Sequence, residues 1–533
     1  MTKGILYLSG KPNYPLVPSY RLVVLILLFW GCFTRQAGNN IMNFTIACMV
    51  NASAYLNDND GQSQNASGCA AKAQQSGDLN KYRGTYEWNK SVQANILAGL
   101  GWGSVAMIFA GGYVCDRFGV KKLYILVMLL LTITLCIIPS VAPYGWVPVF
   151  IVRILQGSAM VVGWPAIIVV ANEWFTASEH SLIHTLGASG SQFGAIFSMA
   201  IMGKMCSTVG WQAGYYLLGT ISFLVGVGWL IFYSDNIHKN RCLSREEYYF
   251  LVKYKKRTAK SNVPRRRVGT LTPVSPEDAA ATAIKTAPVS TPWLKILTSL
   301  PVWAIICINF CSCYTFFFIG QSAPTYYKEF LALDPDSSGI FTALPFIMQL
   351  VGRAIAYYAI RLCHSRVHPT VFVRVMGLII CSGQGGFIAL ATVFDCYHHP
   401  AGAVACFSFV YLFFGMNVAA YIKSSADIAP QFAGTVTGLS QTAMFSAGVV
   451  APYLTGALTT HSTQREWRTA IYVAAVFSAI GGVVFAAFAS GVRQSWAPPP
   501  AELRPDPAAQ VNGETKQFND IYTIPQNSYA EKK

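Results

Sequence analysis

The chain has 533 residues, 53% of them hydrophobic and only 12% charged, with a mean hydropathy of +0.40. Soluble proteins carry about twice that charged share, and apolar runs of bilayer-spanning length recur along nearly the whole sequence, which excludes a string of soluble domains. The net charge of +16 does not point to nucleic acid, because thirteen Lys and Arg residues fall between Asp235 and Lys295, the local bias expected of cytoplasmic segments in a membrane protein.

In chain order, residues 1–20 are polar, with Pro12, Pro15 and Pro18, and read as a cytoplasmic N-terminal segment. The apolar run from Leu22 is too long for the core of a signal peptide and reads as a first membrane helix. Twelve spans are predicted, in two groups of six. The first group lies at 22–50, 91–114, 123–141, 146–174, 182–205 and 211–233, and the second at 301–327, 338–360, 371–394, 401–425, 434–458 and 467–490. The fold class is therefore an all-α polytopic membrane protein. Its halves cover 21–233 and 296–490, a basic cytoplasmic linker covers 234–295, and a disordered cytoplasmic tail covers 491–533. The loop at 51–90 carries sequons at Asn51, Asn65 and Asn89, which places it outside, with Asn65, farthest from either helix, as the best glycosylation acceptor.

The fourteen cysteines are scattered, many within apolar runs and without CxxC spacing. They read as small hydrophobes, not as a disulfide framework or a metal site. Cys69 and Cys396 fall in predicted outer loops.

The second and third spans are joined by Gly111-Gly112-Tyr113-Val114-Cys115-Asp116-Arg117-Phe118-Gly119-Val120-Lys121-Lys122. Gly112 and Gly119 suit a close helix approach and a tight turn. Asp116 suits a helix N-terminus, and Arg117 and Lys121 suit helix C-termini or acids. Two six-helix halves with this turn suggest a carrier in which repeated halves enclose a mid-membrane site. A counterpart near Gly352 has drifted, with Arg361 where an acid is expected.

The charged turn resembles the signature of the major facilitator superfamily between its second and third helices. More specific strings are Phe150-Ile151-Val152-Arg153-Ile154-Leu155-Gln156-Gly157, Pro324-Thr325-Tyr326-Tyr327, Asp427-Ile428-Ala429-Pro430-Gln431-Phe432-Ala433-Gly434 and Phe488-Ala489-Ser490-Gly491-Val492-Arg493-Gln494-Ser495-Trp496-Ala497, with Thr291-Pro292-Trp293 opening the second half. By these the chain resembles the anion:cation symporter family, the group of type I phosphate, vesicular glutamate and sialin-like transporters, as a divergent member. The resemblance spans roughly residues 20–497. It implies the twelve-helix major facilitator fold, and it implies functional positions that this chain fills unusually. The family arginine of helix one falls on Asn39, with Arg35 one turn earlier on the same face. The arginine of helix seven falls on Ser312, the proton-coupling acid of helix four on Met160, and a helix-two histidine on Leu97. Of that set only Arg153 is retained.

A charge inside a membrane span marks function by default, and arginine suits a two-pronged grip on carboxylate or phosphate. Arg153, Arg35, Asn39, Arg353 and Ser312 are the candidate substrate residues. Gly112, Asp116, Arg117, Gly119 and Lys121 are the candidate hinge. Lys423 reads as snorkelling to the interface or pairing with Asp427 at i, i+4. The expected function is alternating-access transport of a small organic or inorganic anion, with sodium or a proton as the coupling ion, lipid as the surroundings, and no cofactor, metal or catalytic residue. A carrier of a neutral or zwitterionic solute and a non-transporting receptor or scaffold are the alternatives. Family members occupy plasma, vesicular and lysosomal membranes, so any of these fits.

Overall fold

The computed structural model describes residues 19–51, 84–161, 163–176, 179–235, 240, 243–244, 246–251, 291–331, 333–363, 366–394 and 400–497. Lipid offers the backbone no hydrogen-bond partners, so membrane segments close their bonds within helices, and the described residues are almost entirely helical. The first half contains α1 (Tyr20–Met49), α2 (Lys90–Phe118), α3 (Val120–Val141), α4 (Trp146–Met160), α5 (Gly163–Trp174), α6 (His180–Ser207) and α7 (Trp211–Phe232). A short α8 (Trp293–Leu297) precedes the second half. That half contains α9 (Leu300–Glu329), α10 (Pro335–Cys363), α11 (Pro369–Leu390), α12 (Pro400–Gly415), α13 (Tyr421–Ile428), α14 (Ala433–Leu458) and α15 (Gln464–Phe488).

Nine crossings among the described residues are long and apolar enough to span a bilayer, α12 and α13 counting as one. The other three are α4 with α5, α6 and α14. The fourth crossing of the first half is described as α4 and α5, on either side of residue 162. In the second half a 3₁₀ stretch, Met416–Ala419, separates α12 from α13.

The two halves repeat one packing scheme. In the first, α1 packs on α6, α2 on α4 and α3 on α7; in the second, α9 packs on α14, α10 on α12 and α11 on α15. Across the seam α2 meets α14 and α6 meets α10, an exchange of equivalent helices, while α1 faces α9. α6 and α10 come close together at two glycines. A Cβ on Gly203 would lie 2.9 Å from the Gly339 Cα, so only small residues let these backbones touch.

An even number of crossings per half puts both chain ends on one face, here the termini face. The opposite, far face holds the ends of α1, α6 and α9 and the start of α2.

Three expectations change. Cys48 and Cys206 form a disulfide tying the far ends of α1 and α6, 158 residues apart in sequence with Cα atoms 6.2 Å apart. Spacing could not reveal this, because only helix packing brings them together. The turn between the second and third spans shrinks to Gly119, since α2 runs through Phe118 and α3 begins at Val120. Part of the linker is also packed. Residues 246–251 form a helical turn, and Glu247 is 1% exposed. Its carboxylate accepts from the backbone N–H of Tyr20 (3.0 Å) and Arg21 (3.1 Å). The buried Arg21 guanidinium also reaches Glu179 (2.7 Å) at the start of α6. Asn65, Cys69, Cys396 and most of the linker and tail lie outside the described residues.

Candidate functional site

A small cavity lies inside the first half between α1, α2, α3 and α4. Arg35, Asn39, Gln156 and Met160 are among its lining residues, with Leu100, Val127 and Leu131 closing its apolar side. Arg35 Nη1 donates to the Met160 carbonyl (2.9 Å). Arg153, 1% exposed, donates from Nη1 to Gln156 Oε1 (3.0 Å) and to the Asn39 carbonyl (3.4 Å). Arg153 Nε is buried with no acceptor among the described residues. Gln156 Nε2 is also unpartnered there. Arg153 sits on the α4 face packed against α2, where a Cβ on Gly99 would touch the Arg153 Cβ at 3.0 Å. Both acceptors of Arg153 are neutral, although a buried charge is normally met by an opposite charge or a full set of hydrogen bonds.

The equivalent place in the second half, between α9, α11 and the stretch joining α12 to α13, is polar but uncharged. Ser312 Oγ donates to Gln384 Oε1 (2.8 Å) and accepts from Asn417 Nδ2 (3.1 Å). Ser312 and Gln384 are completely buried. Gln384 Nε2 and Asn417 Oδ1 have no partner among the described residues. The structure thus brings Arg35, Asn39 and Arg153 together and keeps Ser312 in a separate cluster.

Arg353 lies apart from both, on the seam. Its Nη1 crosses from α10 to Gln192 Oε1 on α6 (3.1 Å), and Gln192 Nε2 returns to Gln349 Oε1 (3.4 Å). The remaining polar links between the halves, among the described residues, lie toward the far face. Lys90 Nζ pairs with Glu329 (2.5 Å) and Lys204 Nζ with Asp336 (3.2 Å). Lys328 Nζ donates to the carbonyls of Ala47 (2.6 Å) and Val50 (2.9 Å) at the end of α1. Trp102 Nε1 reaches Tyr453 Oη (3.3 Å).

Gly112, Asp116 and Arg117 lie on the last turns of α2, with side chains outside the described set. Gly119 has φ +80°, a conformation that favours glycine. At the start of α3 the Asp235 Oδ1 accepts from the Lys121 backbone N–H (2.7 Å). Lys423 pairs with Asp427 (2.7 Å), four residues on.

The Major Facilitator Superfamily profile matches residues 28–452, most of the chain. The chain belongs to the Major Facilitator Superfamily. Human sialin is 27% identical to this facilitator over 92% of the chain and 94% of its own length. Bovine vesicular glutamate transporter 1 is 27% identical over 78% of the chain and 70% of its own length. Among solved structures, a bacterial homologue of the human lysosomal transporter Spinster superposes with a TM-score of 0.60 at 10% identity, covering 90% of this chain and 97% of that one. The D-xylose–proton symporter superposes with a TM-score of 0.54 at 14% identity, over 86% and 97%. These two establish the fold.

Several polar residues of this facilitator escaped the sequence reading. Gln156, Gln192, Gln349, Gln384 and Asn417 are uncharged amides in apolar runs, and nothing in their spacing separates them from amides facing a helix end. Lys90, Lys204 and Lys328 stand near helix ends, where a base by itself carries no sign of a distant partner. A search for polar residues at equivalent helices of the two halves would have found the amides.

Proposed function

We propose that this protein is a secondary transporter that moves a small organic or inorganic anion by alternating access, with its charged subsite in the first half. The observation that carries this reading is Arg153, a cation buried within a span whose acceptors are Gln156 Oε1 and the Asn39 carbonyl, both neutral. A carboxylate or phosphate oxygen is the stronger acceptor for a guanidinium, so an entering anion gains a charge-assisted contact there. Arg35 and Asn39 line the adjoining cavity, and anion transport accords with the vesicular glutamate transporters among the relatives. Met160 stands where a coupling acid is expected, so a proton carried on that residue is excluded. Sodium, a proton on another group or the membrane potential supplies the drive; the potential contributes about 2.3 kcal/mol per elementary charge per 100 mV.

The neutral cluster of Ser312, Gln384 and Asn417 favours one second reading, a carrier of a neutral or zwitterionic solute. Uptake into proteoliposomes separates the two when a panel of carboxylates, inorganic phosphate and neutral solutes is run under imposed pH, sodium and voltage gradients. Saturable uptake of an anion is expected. Uptake of neutral solutes alone overturns the anion reading, and no uptake of any solute favours a receptor or scaffold.

In this proposal the termini and the linker are cytoplasmic and Asn65 faces outward or into a lumen, in a plasma, vesicular or lysosomal membrane. The hinge role of Gly112, Asp116, Arg117, Gly119 and Lys121 belongs to the same proposal. Protease cleavage of the linker in intact right-side-out cells overturns the orientation.

A further inference from the structure

The seam between the halves changes character along its length. Near the far face α6 and α10 touch backbone to backbone at Gly203 and Gly339. Eleven residues back along α6, roughly 16 Å at the helical rise, the gap is filled by Gln192, Gln349 and Arg353. Gln192 and Gln349 are buried, whereas Arg353 is only partly so. No carboxylate among the described residues pairs with Arg353. Its polar contact within the described set is the Gln192 side-chain oxygen at 3.1 Å. Among the described residues, no polar link between the halves lies on the termini side of this point. Arg353 is therefore a mid-membrane cation on the seam, tied across it by one neutral oxygen.

We propose that Arg353, Gln192 and Gln349 form an anion-binding station on the seam, with Gln192 Oε1 occupying the place of a substrate carboxylate or phosphate oxygen. The proposal rests on the anion reading above and adds a second cationic contact to it. A carboxamide oxygen presents the same acceptor direction as a carboxylate oxygen but without the charge. An anion on Arg353 forms the stronger, charge-assisted bond and releases Gln192. That exchange removes the shorter of the two mid-membrane ties between α6 and α10, the Arg353–Gln192 bond. A ligand shifts a conformational equilibrium only through contacts that differ between the states, and this tie is such a contact. Gln349, on α10 beside Arg353, accepts from Gln192 Nε2 (3.4 Å), a second and longer bond across the seam that holds the amide within reach of Arg353 once its oxygen is released.

The test uses full-length protein in lipid nanodiscs, with L-glutamate and inorganic phosphate as probes in binding titrations and thermal-shift measurements. Gln192→Glu supplies a permanent carboxylate to Arg353. It is expected to weaken binding of whichever probe the parent takes by at least tenfold. Gln192→Ala removes the place-holder and is expected to bind that probe at least as tightly as the parent. Arg353→Gln is expected to lose at least tenfold. Parental affinity in Gln192→Glu, or a loss in Gln192→Ala as large as in Arg353→Gln, overturns the station while leaving the anion reading standing. Should Gln192→Glu fail to fold, the opposite directions expected of Gln192→Ala and Arg353→Gln decide the matter. A parent that binds neither probe overturns the anion reading and the station together.

Discussion

The two halves fold by the same packing scheme and fill the same internal place with opposite chemistry. Between α1, α3 and α4 the first half holds two arginines, whose Nη1 atoms donate to backbone carbonyls and to Gln156. Between α9, α11 and the α12–α13 junction the second half holds a serine and two amides, bonded to one another. Helix packing is set by small residues and apolar surface, which the halves share, so it tolerates this difference. Binding is set by which groups meet the solute. Under the proposed reading, an anion's charged end meets Arg153 inside the first half and Arg353 on the seam, and the neutral cluster inside the second half is suited to uncharged, hydrogen-bonding parts of a solute.

The largest effect tests that division directly. Arg153→Ala should abolish most anion uptake, at least tenfold, and Arg153→Lys should lose much of it, because an ammonium lacks the planar fork. The melting temperature of purified Arg153→Ala protein should hold or rise, since a buried charge with neutral partners contributes little stability. Normal uptake by folded Arg153→Ala protein would break the comparison and favour the neutral-solute reading.

The next effect concerns the far face, where the halves meet through ions. Lys90 and Glu329 are both less than one-tenth exposed, and breaking a buried pair by removing one partner costs about 3–5 kcal/mol. Lys90→Ala should therefore move the carrier toward states open at the far face. Cysteines placed near Ser207 should then react faster with an impermeant thiol reagent. Unchanged reactivity would mean that this pair does not hold the seam.

A smaller effect is expected in the second half. Gln384→Leu removes the acceptor of the Ser312 hydroxyl, a loss of about 1 kcal/mol. It should lower the melting temperature by a few degrees while anion uptake stays within a few-fold of the parent. A loss as deep as that of Arg153→Ala would show that the two halves share the anion equally.

The smallest effect separates hinge from cap. Asp235→Ala removes the carboxylate at the start of α3, a loss of about 1 kcal/mol, and should lower thermal stability with little change in transport. Asp116→Asn should slow transport with nearly unchanged affinity, measured as initial rates against substrate concentration. Equal rates in Asp116→Asn and parent would reduce the charged turn to a folding feature.

Much of the fold was legible in the sequence because bilayer thickness and backbone hydrogen bonding fix helix length. The predicted first span, 22–50, and α1, Tyr20–Met49, differ by only two residues at the start and one at the end. The same local rule placed Lys423 against Asp427, four residues apart on one helix. It failed wherever the partner is distant in the chain. Asp235 caps α3 from 114 residues away. Cys48 meets Cys206 only because α1 packs on α6. Glu247, in a stretch read as loose linker, is buried under the start of α1.

The sequence by itself determined that the chain crosses a membrane repeatedly, that it divides into two six-span groups, and that a few arginines stand where lipid makes charge expensive. Those properties reside in composition and in periods of a few residues. Only the tertiary structure decided which polar groups meet. It put Arg153 on neutral acceptors and Arg35 on the Met160 carbonyl beside it, gathered Ser312 with Gln384 and Asn417, and carried Arg353 across the seam to Gln192. The reason is physical: a side chain on a helix chooses its partner by the angle and height at which another helix passes, and that crossing is set by small residues and apolar packing spread over the whole bundle.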